Sequence, residues 1–194
     1  MALRVVTPAK GTIVTLAEAK AHCRVDANDE DDFIEGLILD AGELLEAETQ
    51  RRFLTQTLEW VRECWDDPMV LPIAGPTDSS SIAIGAITYT ALDGTTQTLD
   101  PSLYWDRAAG QTRKVVRRWF VIWPWLGDGA ERVVIRFTVT GTAVNTPRKI
   151  KRAALLLISH WYRNRDAVVG VDARDSSTEL PLGVEALVSG ERWA

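Results

Sequence analysis

Residues 145–165 read NTPRKIKRAALLLISHWYRNR and predict an amphipathic helix around which the rest of the chain is organised. Thr146 can cap this helix, and Pro147 suits its first turn because a proline has no N–H to leave unsatisfied there. The apolar residues recur at three- and four-residue spacing, which places them on one buried face. They are Ile150, Ala153, Ala154, Leu157, Ile158 and Trp161.

Four cations crowd the first turn of the same helix: Arg148, Lys149, Lys151 and Arg152. The positive end of a helix dipole favours anions, so this placement opposes the dipole. The stability of an isolated helix therefore does not account for these cations. We expect an acidic partner for them, either within the chain or outside it.

The composition indicates a globular protein with one sizeable core, or one core and a smaller satellite domain, because 46% of the 194 residues are hydrophobic. No apolar run approaches the roughly 20 residues that span a bilayer, and the first residues lack the apolar centre of a signal peptide. A cytoplasmic product without a membrane partner is expected. The two cysteines, Cys23 and Cys64, then suit reduced thiols.

Charge is divided unevenly along the chain. Residues 1–67 carry 15 acidic and 7 basic side chains, a net charge of −8, whereas residues 107–165 carry 13 basic and 2 acidic ones, a net charge of +11. Such asymmetry indicates two parts of one molecule that attract each other, or neighbouring subunits that meet acidic face to basic face. A nucleic-acid surface on the basic half is a third interpretation.

Two further helices are predicted near the N-terminus, after an extended arm that runs to about Val14. Thr15 and Glu18 have capping-box spacing, which predicts a short helix to about Arg24. A longer amphipathic helix is predicted from Glu30 to about Phe53, with Asp29 as its cap. Its apolar positions are Phe33, Ile34, Leu37, Ile38, Ala41, Leu44 and Leu45, and Arg51 and Arg52 near its end suit the dipole.

A β-rich insert is predicted between the helical portions, because the hydrophobic period changes to two. Its predicted strands span residues 58–65, 81–92, 95–99, 103–107, 114–122 and 131–140, and Asp93-Gly94 marks a tight turn. The predicted organisation is an N-terminal arm with helices (1–57), the β insert (58–141), the basic helix (142–169) and an extended tail (170–194). The fold class is α+β, with helices from both ends of the chain packed together and an antiparallel β domain inserted.

The sequence gives little support for an enzymatic function. His22 and His160 are the only histidines, and no serine or cysteine has the spacing of a known nucleophile, zinc or redox motif. The acidic run 26–32 does not fit a calcium loop, because Asp31 falls where glycine is needed and Leu37 where the bidentate glutamate belongs. No cofactor or metal is expected. A small hydrolase with an unrecognised site remains a minor alternative.

Residues 113–125 mix cations with aromatic residues and form the best candidate for nucleic-acid contact. Single-strand binders stack bases on aromatic side chains within a basic surface. Trp119, Phe120, Trp123 and Trp125 suit a core or a subunit contact equally well, since interfaces are also enriched in aromatic residues. Contact with a neighbouring subunit is the preferred interpretation, and sequence-independent nucleic-acid binding is the alternative.

The order of these parts resembles the head-tail connector, or adaptor, proteins of long-tailed phages. The resemblance rests on the capped helix TLAEAK (15–20), the acidic break and helix DEDDFIEGLI (29–38), the strand LEWV (58–61), the helix end HWYRNR (160–165) and the tail LPLGVEAL (180–187). It spans nearly the whole chain, although each motif alone is weak. The most similar variant carries a β insert and occurs in prophages and phage-like gene transfer agents.

This resemblance implies a structural protein without catalysis. It implies a ring of commonly twelve subunits between the portal and a stopper or tail-completion protein, in the neck of a virion or phage-like particle assembled in bacterial cytoplasm. Double-stranded DNA would pass through the lumen of the ring. By this resemblance the tail reaches the portal through Leu180, Pro181, Leu182, Val184, Leu187 and Trp193. The residues expected at subunit interfaces or the DNA lumen are Arg117, Arg118, Arg148, Lys149, Lys151, Arg152, Arg163 and Arg165.

Overall fold

A computed structural model describes residues 2–129, 131–165 and 182–193. Helices and antiparallel sheets make up these residues, which confirms the predicted α+β class. The chain divides into two compact units. The helical unit groups Gly11–Arg51 with Thr146–Ala194, and the β unit groups Met1–Lys10 with Arg52–Asn145. No helix in the described ranges has both the length and the apolar character needed to cross a membrane.

The helical unit contains α1 (Leu16–Cys23), α2 (Asp31–Thr49), α3 (Arg148–Arg163) and α4 (Leu182–Val188). α1, α2 and α3 pack against one another, and α4 packs on α3 and α2. The predicted apolar faces form the core of this unit, because three- and four-residue spacing keeps their members on one side of each helix. Its buried members are Ala19, Ile34, Ile38, Ala41, Leu45, Ile150, Ala153, Ala154, Leu157 and Ile158.

The predicted capping box of α1 is present. The backbone N–H of Glu18 donates to Oγ1 of Thr15 at 3.2 Å, and the backbone N–H of Thr15 donates to Oε2 of Glu18 at 2.7 Å. These bonds satisfy two N–H groups that the first turn of a helix leaves free. The start of α1 is therefore set by local chemistry.

The other predicted helix ends were wrong by one to four residues. Glu30 rather than Asp29 occupies the cap position of α2, and Pro147 rather than Thr146 occupies that of α3. α2 ends at Thr49 because Gln50 adopts a left-handed conformation with φ of 52°. Arg51 and Arg52 therefore lie beyond the helix.

The β unit holds two antiparallel sheets. The first has five strands in the order β1-β2-β8-β4-β5, and the second has three in the order β3-β7-β6. The strands are β1 (Ala2–Thr7), β2 (Gln56–Arg62), β3 (Met69–Val70), β4 (Ile82–Thr90), β5 (Thr96–Thr98), β6 (Tyr104–Ala109), β7 (Thr112–Arg117) and β8 (Val133–Val139).

Side-chain alternation builds the core of the β unit, because successive residues of a strand face opposite sides. In β8, Val133, Ile135, Phe137 and Val139 are all buried, whereas Arg136 lies on the other face. Residues from both sheets complete this core, including Trp60 of β2 and Val115 of β7.

The expected N-terminal arm is a strand of the five-stranded sheet. β1 pairs with β2, and the register places Arg4 beside Glu59, with Arg136 of β8 on the other side of Glu59. Nε of Arg4 donates to Oε2 of Glu59 at 2.7 Å, and Nε of Arg136 donates to Oε1 at 2.9 Å. Burial alone would raise the pKa of Glu59, but the bonds from Arg136 and Arg4 outweigh it and hold this pKa below its usual range. Arg4, Glu59 and Arg136 form a triad that links β1 to the rest of the sheet.

Two other predicted segments differ in the structure. The strand predicted over 114–122 ends at Arg117, because the left-handed Phe120 (φ of 63°) interrupts the extended conformation that a strand needs. The tail predicted as extended over 170–194 is helical in its described part, where α4 and a 3-10 turn at Ser189–Glu191 follow one another. Val184 and Val188 supply the reason, since both are buried in the helical unit.

Candidate functional site

The candidate functional features among the described residues are surfaces. No three of their His, Cys, Asp and Glu side chains are grouped so that they could hold a metal ion. His22 and His160 are both exposed, and His160 lies beside Asn164 at the end of α3. The candidate functional site is therefore a set of four interaction surfaces, two of them basic, one acidic and one aromatic.

The aromatic surface is the tryptophan segment, defined as residues 118–126, which follows β7 without regular secondary structure. Its backbone is nevertheless fixed to the β unit at both ends. The N–H of Arg118 donates to the carbonyl of Leu103 at 3.0 Å, and the N–H of Gly127 donates to the carbonyl of Thr90 at 2.9 Å. In the middle, the indole N–H of Trp65 donates to the carbonyl of Pro124 at 2.9 Å.

Four large apolar side chains of this segment are exposed. Trp119, Ile122 and Trp125 are 78–79% exposed, and Phe120 is fully exposed at 105%. Trp123 instead stacks on Trp65, with ring centroids 4.9 Å apart. Contiguous exposed apolar surface of this kind marks an interaction site. Hydrogen bonds thus fix the backbone of the segment to the β unit, while its four exposed apolar side chains are not covered by other described residues.

The cations beside the tryptophan segment are already engaged. Nε of Arg117 donates to Oδ2 of Asp67 at 3.1 Å. Nε of Arg118 donates to the carbonyl of Tyr104 at 3.2 Å, and its guanidinium lies 5.8 Å from the ring of Trp105. The guanidinium of Arg107 covers the same ring at 4.5 Å. This surface is thus mainly aromatic, with a positive rim.

The acidic surface is a stripe along the outer face of α2, defined by Asp32, Glu35, Leu39, Asp40 and Glu43. Positions 32, 35, 39 and 43 are three or four residues apart, and Asp40 adjoins Leu39, so the five residues lie on one side of the helix. All five are exposed, Leu39 at 54%. None of the four carboxylates has an ion-pair partner among the residues that the structure describes.

The first basic surface is the start of α3, where Arg148, Lys149 and Arg152 are exposed. The structure pairs none of these three with an acid within its described ranges. Lys151 differs, since it is half-buried near Glu18 and its charge helps to lower the pKa of that carboxyl, after the bonds from Thr15. Among the described residues, the acidic partner expected for the helix start is thus found for Lys151 alone.

The second basic surface, at the other end of α3, is tied to the start of α2. Arg165 contacts Oε1 of Glu30 at 2.7 Å, and the hydroxyl of Tyr162 donates to the same carboxylate. These two bonds, that of Arg165 first, lower the pKa of Glu30 to about 2. The guanidinium of Arg165 also covers the rings of Tyr162 and Phe33, each at 4.7 Å. Arg163 is exposed on the last turn.

The C-terminal anchors are partly covered by the chain itself. Leu180 and Pro181 lie outside the described residues, and of Leu182 only the backbone is described, at the start of α4. Val184 is buried, whereas Leu187 and Trp193 are half-buried. The backbone N–H of Trp193 donates to the carbonyl of Thr49 at 2.9 Å. The described part of the tail is therefore docked on its own helical unit.

Sequence reasoning missed the residue that holds this end in place. Arg51 is 1% exposed, and its NH1 donates to Oε2 of Glu191 at 2.6 Å. Nearby, Arg192 and Glu48 form a second ion pair at 2.9 Å on the surface. The only available signal was the position of Arg51 directly after a helix with an apolar face, which indicates a partly buried cation but not its partner.

Two of three comparisons with known proteins give a match for this chain. Residues 13–86 match the model of the phage gp6-like head-tail connector protein family. This match covers α1, α2 and the first strands of the insert, less than half of the chain. The sequence has no match among curated proteins.

Solved structures extend the likeness over the whole chain. One is a chain of the neck of an empty gene transfer agent (GTA) particle, with a TM-score of 0.76 and 22% identity. A chain from the virion of a native GTA particle gives 0.75, and one from the neck of a native GTA particle computed with C12 symmetry gives 0.74, both at 22% identity. Each comparison covers 100% of this chain and 96% of the other. The complete chain thus has the fold of these neck chains, β insert included.

Proposed function

We propose that the chain is a head-tail connector subunit that forms a ring between the portal and the stopper or tail of a phage or phage-like particle. The observation that carries this proposal is the full-length likeness to neck chains, joined to the connector-family match over residues 13–86. The two findings are complementary, because the family match covers α1 and α2 while the structural likeness also includes the insert and α3. The role is structural, and the subunit performs it through the interaction surfaces described above.

Charge segregation supports assembly into a ring. A closed ring needs heterologous contacts, in which one surface of a subunit meets a different surface of the next. This chain carries an exposed acidic stripe on α2 and, in the β unit, an exposed aromatic surface with a positive rim, so two different surfaces are present. The GTA neck structure with C12 symmetry supports a ring of twelve subunits.

The portal contact is assigned to the C-terminal end. Of the described anchors, Leu187 and Trp193 keep exposed surface, whereas Val184 belongs to the core of the helical unit. We therefore assign direct portal contact to Leu187 and Trp193, together with the preceding Leu180, Pro181 and Leu182. Val184 then has the separate role of fixing α4 to the subunit.

DNA contact is assigned to the cations that the described chain leaves without an acidic partner. Arg148, Lys149, Arg152 and Arg163 are exposed, and they suit a lumen that DNA passes through. Contacts to phosphates are independent of sequence and weaken steeply with salt. Arg117 and Arg165 are less suited to this role, because each is engaged by an acid within its own unit.

A second candidate function is sequence-independent nucleic-acid binding by the insert. The exposed rings of Trp119 and Trp125, beside a positive rim, favour it. Bases of single-stranded nucleic acid stack on such rings. This function predicts binding to single-stranded DNA in the absence of any portal, with a preference over duplex DNA.

The deciding experiment is a pull-down on the cognate portal ring, with light scattering to follow oligomeric mass. It compares the full chain with a chain truncated after residue 169, and a Leu92→Ser chain serves as the matched control because Leu92 is 73% exposed and belongs to none of the assigned surfaces. Binding by the full and control chains but not by the truncated one supports the connector. Failure of all chains to bind the portal, with salt-sensitive binding to DNA, contradicts it and supports the second candidate.

A further inference from the structure

We propose that the tryptophan segment of one copy docks on the acidic stripe of α2 in the next copy. This inference rests on the proposed ring and names two surfaces that meet within it. Its elements are the exposed side chains of residues 118–126 on one side and Asp32, Glu35, Leu39, Asp40 and Glu43 on the other.

The tryptophan segment has the form of a preorganised interaction surface. A groove of about 570 Å³ lies beside it, with Trp105, Trp119, Phe120 and Ile122 among its lining residues. Phe120 has a φ of 63°, a left-handed conformation that disfavours any residue with a Cβ. Strained residues of this kind persist at functional sites when the surrounding structure fixes them. In this chain the strained residue, Phe120, also has a fully exposed aromatic ring.

The engaged cations argue against duplex DNA as the occupant. Duplex DNA presents phosphates at its surface and keeps its bases stacked inside. It therefore binds surfaces with free cations rather than surfaces with exposed aromatic rings. Arg117 contacts Asp67, and the guanidinium groups of Arg107 and Arg118 both lie over Trp105. A protein surface with an apolar centre and an acidic border fits the tryptophan segment better.

The chain itself carries a surface of that description. Leu39 is exposed in the middle of the acidic stripe, with the four carboxylates around it. Arg107 and Arg118 at the rim of the tryptophan segment lie over the ring of Trp105 and form no ion pair among the described residues, so the two surfaces have opposite charge. They are different surfaces of one chain, which is what a heterologous contact between successive ring subunits requires. Charge complementarity of this kind also fixes the register of an interface.

A photo-cross-linking experiment tests the contact directly. The full chain carries a benzophenone amino acid in place of Phe120, or in place of Leu92 as the matched control. Each is irradiated after assembly with the cognate portal, and the cross-linked peptides are identified by mass spectrometry. Cross-links from position 120 to residues 32–43 of another copy, absent from the Leu92 control, support the proposal.

Two substitutions provide an independent measurement. Phe120→Gly and Leu39→Ser are each expected to weaken ring association at least tenfold, and the double variant is expected to be no weaker than the worse single one. Two residues of the same contact show this coupling, whereas residues of separate contacts have additive effects. Leu92→Ser is expected to associate like the unmodified chain.

The outcomes separate this inference from the proposed function. If rings form and bind the portal while position 120 cross-links elsewhere, to DNA or to nothing, the contact is wrong and the connector function stands. Normal association of the Phe120→Gly and Leu39→Ser rings leads to the same conclusion. If the unmodified chain neither associates nor binds the portal, both the proposed function and this contact are wrong.

Discussion

NH1 of Arg51 donates to the carboxylate of Glu191 at 2.6 Å, joining residues that are 140 positions apart. The side chain of Arg51 is 2% exposed and that of Glu191 18%, so water screens this pair weakly. We predict that Glu191→Gln lowers the free energy of unfolding by about 2 to 3 kcal/mol, because it removes the Glu191 carboxylate from a buried guanidinium. Urea denaturation at pH 7 measures this loss.

The neighbouring ion pair supplies a control for that prediction. Arg192 and Glu48 lie 2.9 Å apart, but their side chains are 42% and 36% exposed. Arg192→Gln is expected to cost less than about 1 kcal/mol, as exposed pairs usually do. If Glu191→Gln and Arg192→Gln lower the free energy of unfolding equally, burial of Arg51 does not determine the strength of the Arg51–Glu191 ion pair.

Phe120→Gly is predicted to leave the subunit no less stable than the unmodified chain. Glycine adopts a positive φ without steric cost, which relieves about 1 to 2 kcal/mol of strain, while its greater freedom in the unfolded chain costs about 0.5 to 1 kcal/mol. The exposed ring of Phe120 contributes little packing to the isolated subunit. Urea denaturation of the monomer checks this, and a clear loss of stability would mean that the ring packs within its own subunit.

Glu30→Gln is predicted to lower the melting temperature at neutral pH but not in strong acid. The folded chain holds the pKa of Glu30 at about 2, below its ordinary value of 4.5, through Arg165 and then Tyr162. The ionised carboxylate therefore stabilises the fold above about pH 4.5, and this contribution is lost as pH falls from 4.5 toward 2. Calorimetry between pH 7 and pH 2.5 should show the two melting temperatures converge.

Two variants serve as references for the Glu30 experiment. Tyr162→Phe removes one of the two bonds and keeps that of Arg165, so its melting temperature at pH 7 should lie between those of the unmodified chain and Glu30→Gln. Glu35→Gln changes an exposed carboxylate of the same helix and should shift stability by less than about 0.5 kcal/mol. A difference for Glu30→Gln that stays constant across the pH range would contradict the ionic explanation.

Gly127→Ala and Gly36→Ala are predicted to act in opposite directions. An added Cβ at Gly127 would lie 2.1 Å from the carbonyl oxygen of Ala91, so the backbone must shift and stability should fall. An added Cβ at Gly36 meets nothing within 4 Å, and alanine in the interior of α2 should gain about 0.5 to 1 kcal/mol. Thermal denaturation of the two variants measures both effects.

Local chemistry made much of this fold predictable from the sequence. The capping box at Thr15 depends on residues three positions apart, and the buried face of α3 follows from helical spacing alone. The alternation from Val133 to Val139 likewise identified β8 and its inner face. In each case the determining residues are neighbours along the chain, so the sequence displays the relationship directly.

Contacts between distant residues could not be predicted in the same way. The triad around Glu59 depends on β1 pairing with β2, 55 residues along the chain from Arg4 to Glu59, and nothing near Arg4 indicates that register. The strand predicted over 114–122 reaches into the tryptophan segment because side-chain alternation does not show backbone conformation, and the left-handed Phe120 rules out a strand there. For the surfaces, the sequence identified the cations, but it could not show that Arg117 and Arg165 have acidic partners.

The division of the chain into two units has a mechanical consequence. The polypeptide passes from one unit to the other three times, after Lys10, after Arg51 and after Asn145. A force that pulls the units apart is therefore shared among three parallel backbone connections, whereas a domain appended at one end would load a single linker. Because β1 also belongs to the β unit, a proteolytic cut at any one crossing would leave the units joined by two covalent connections.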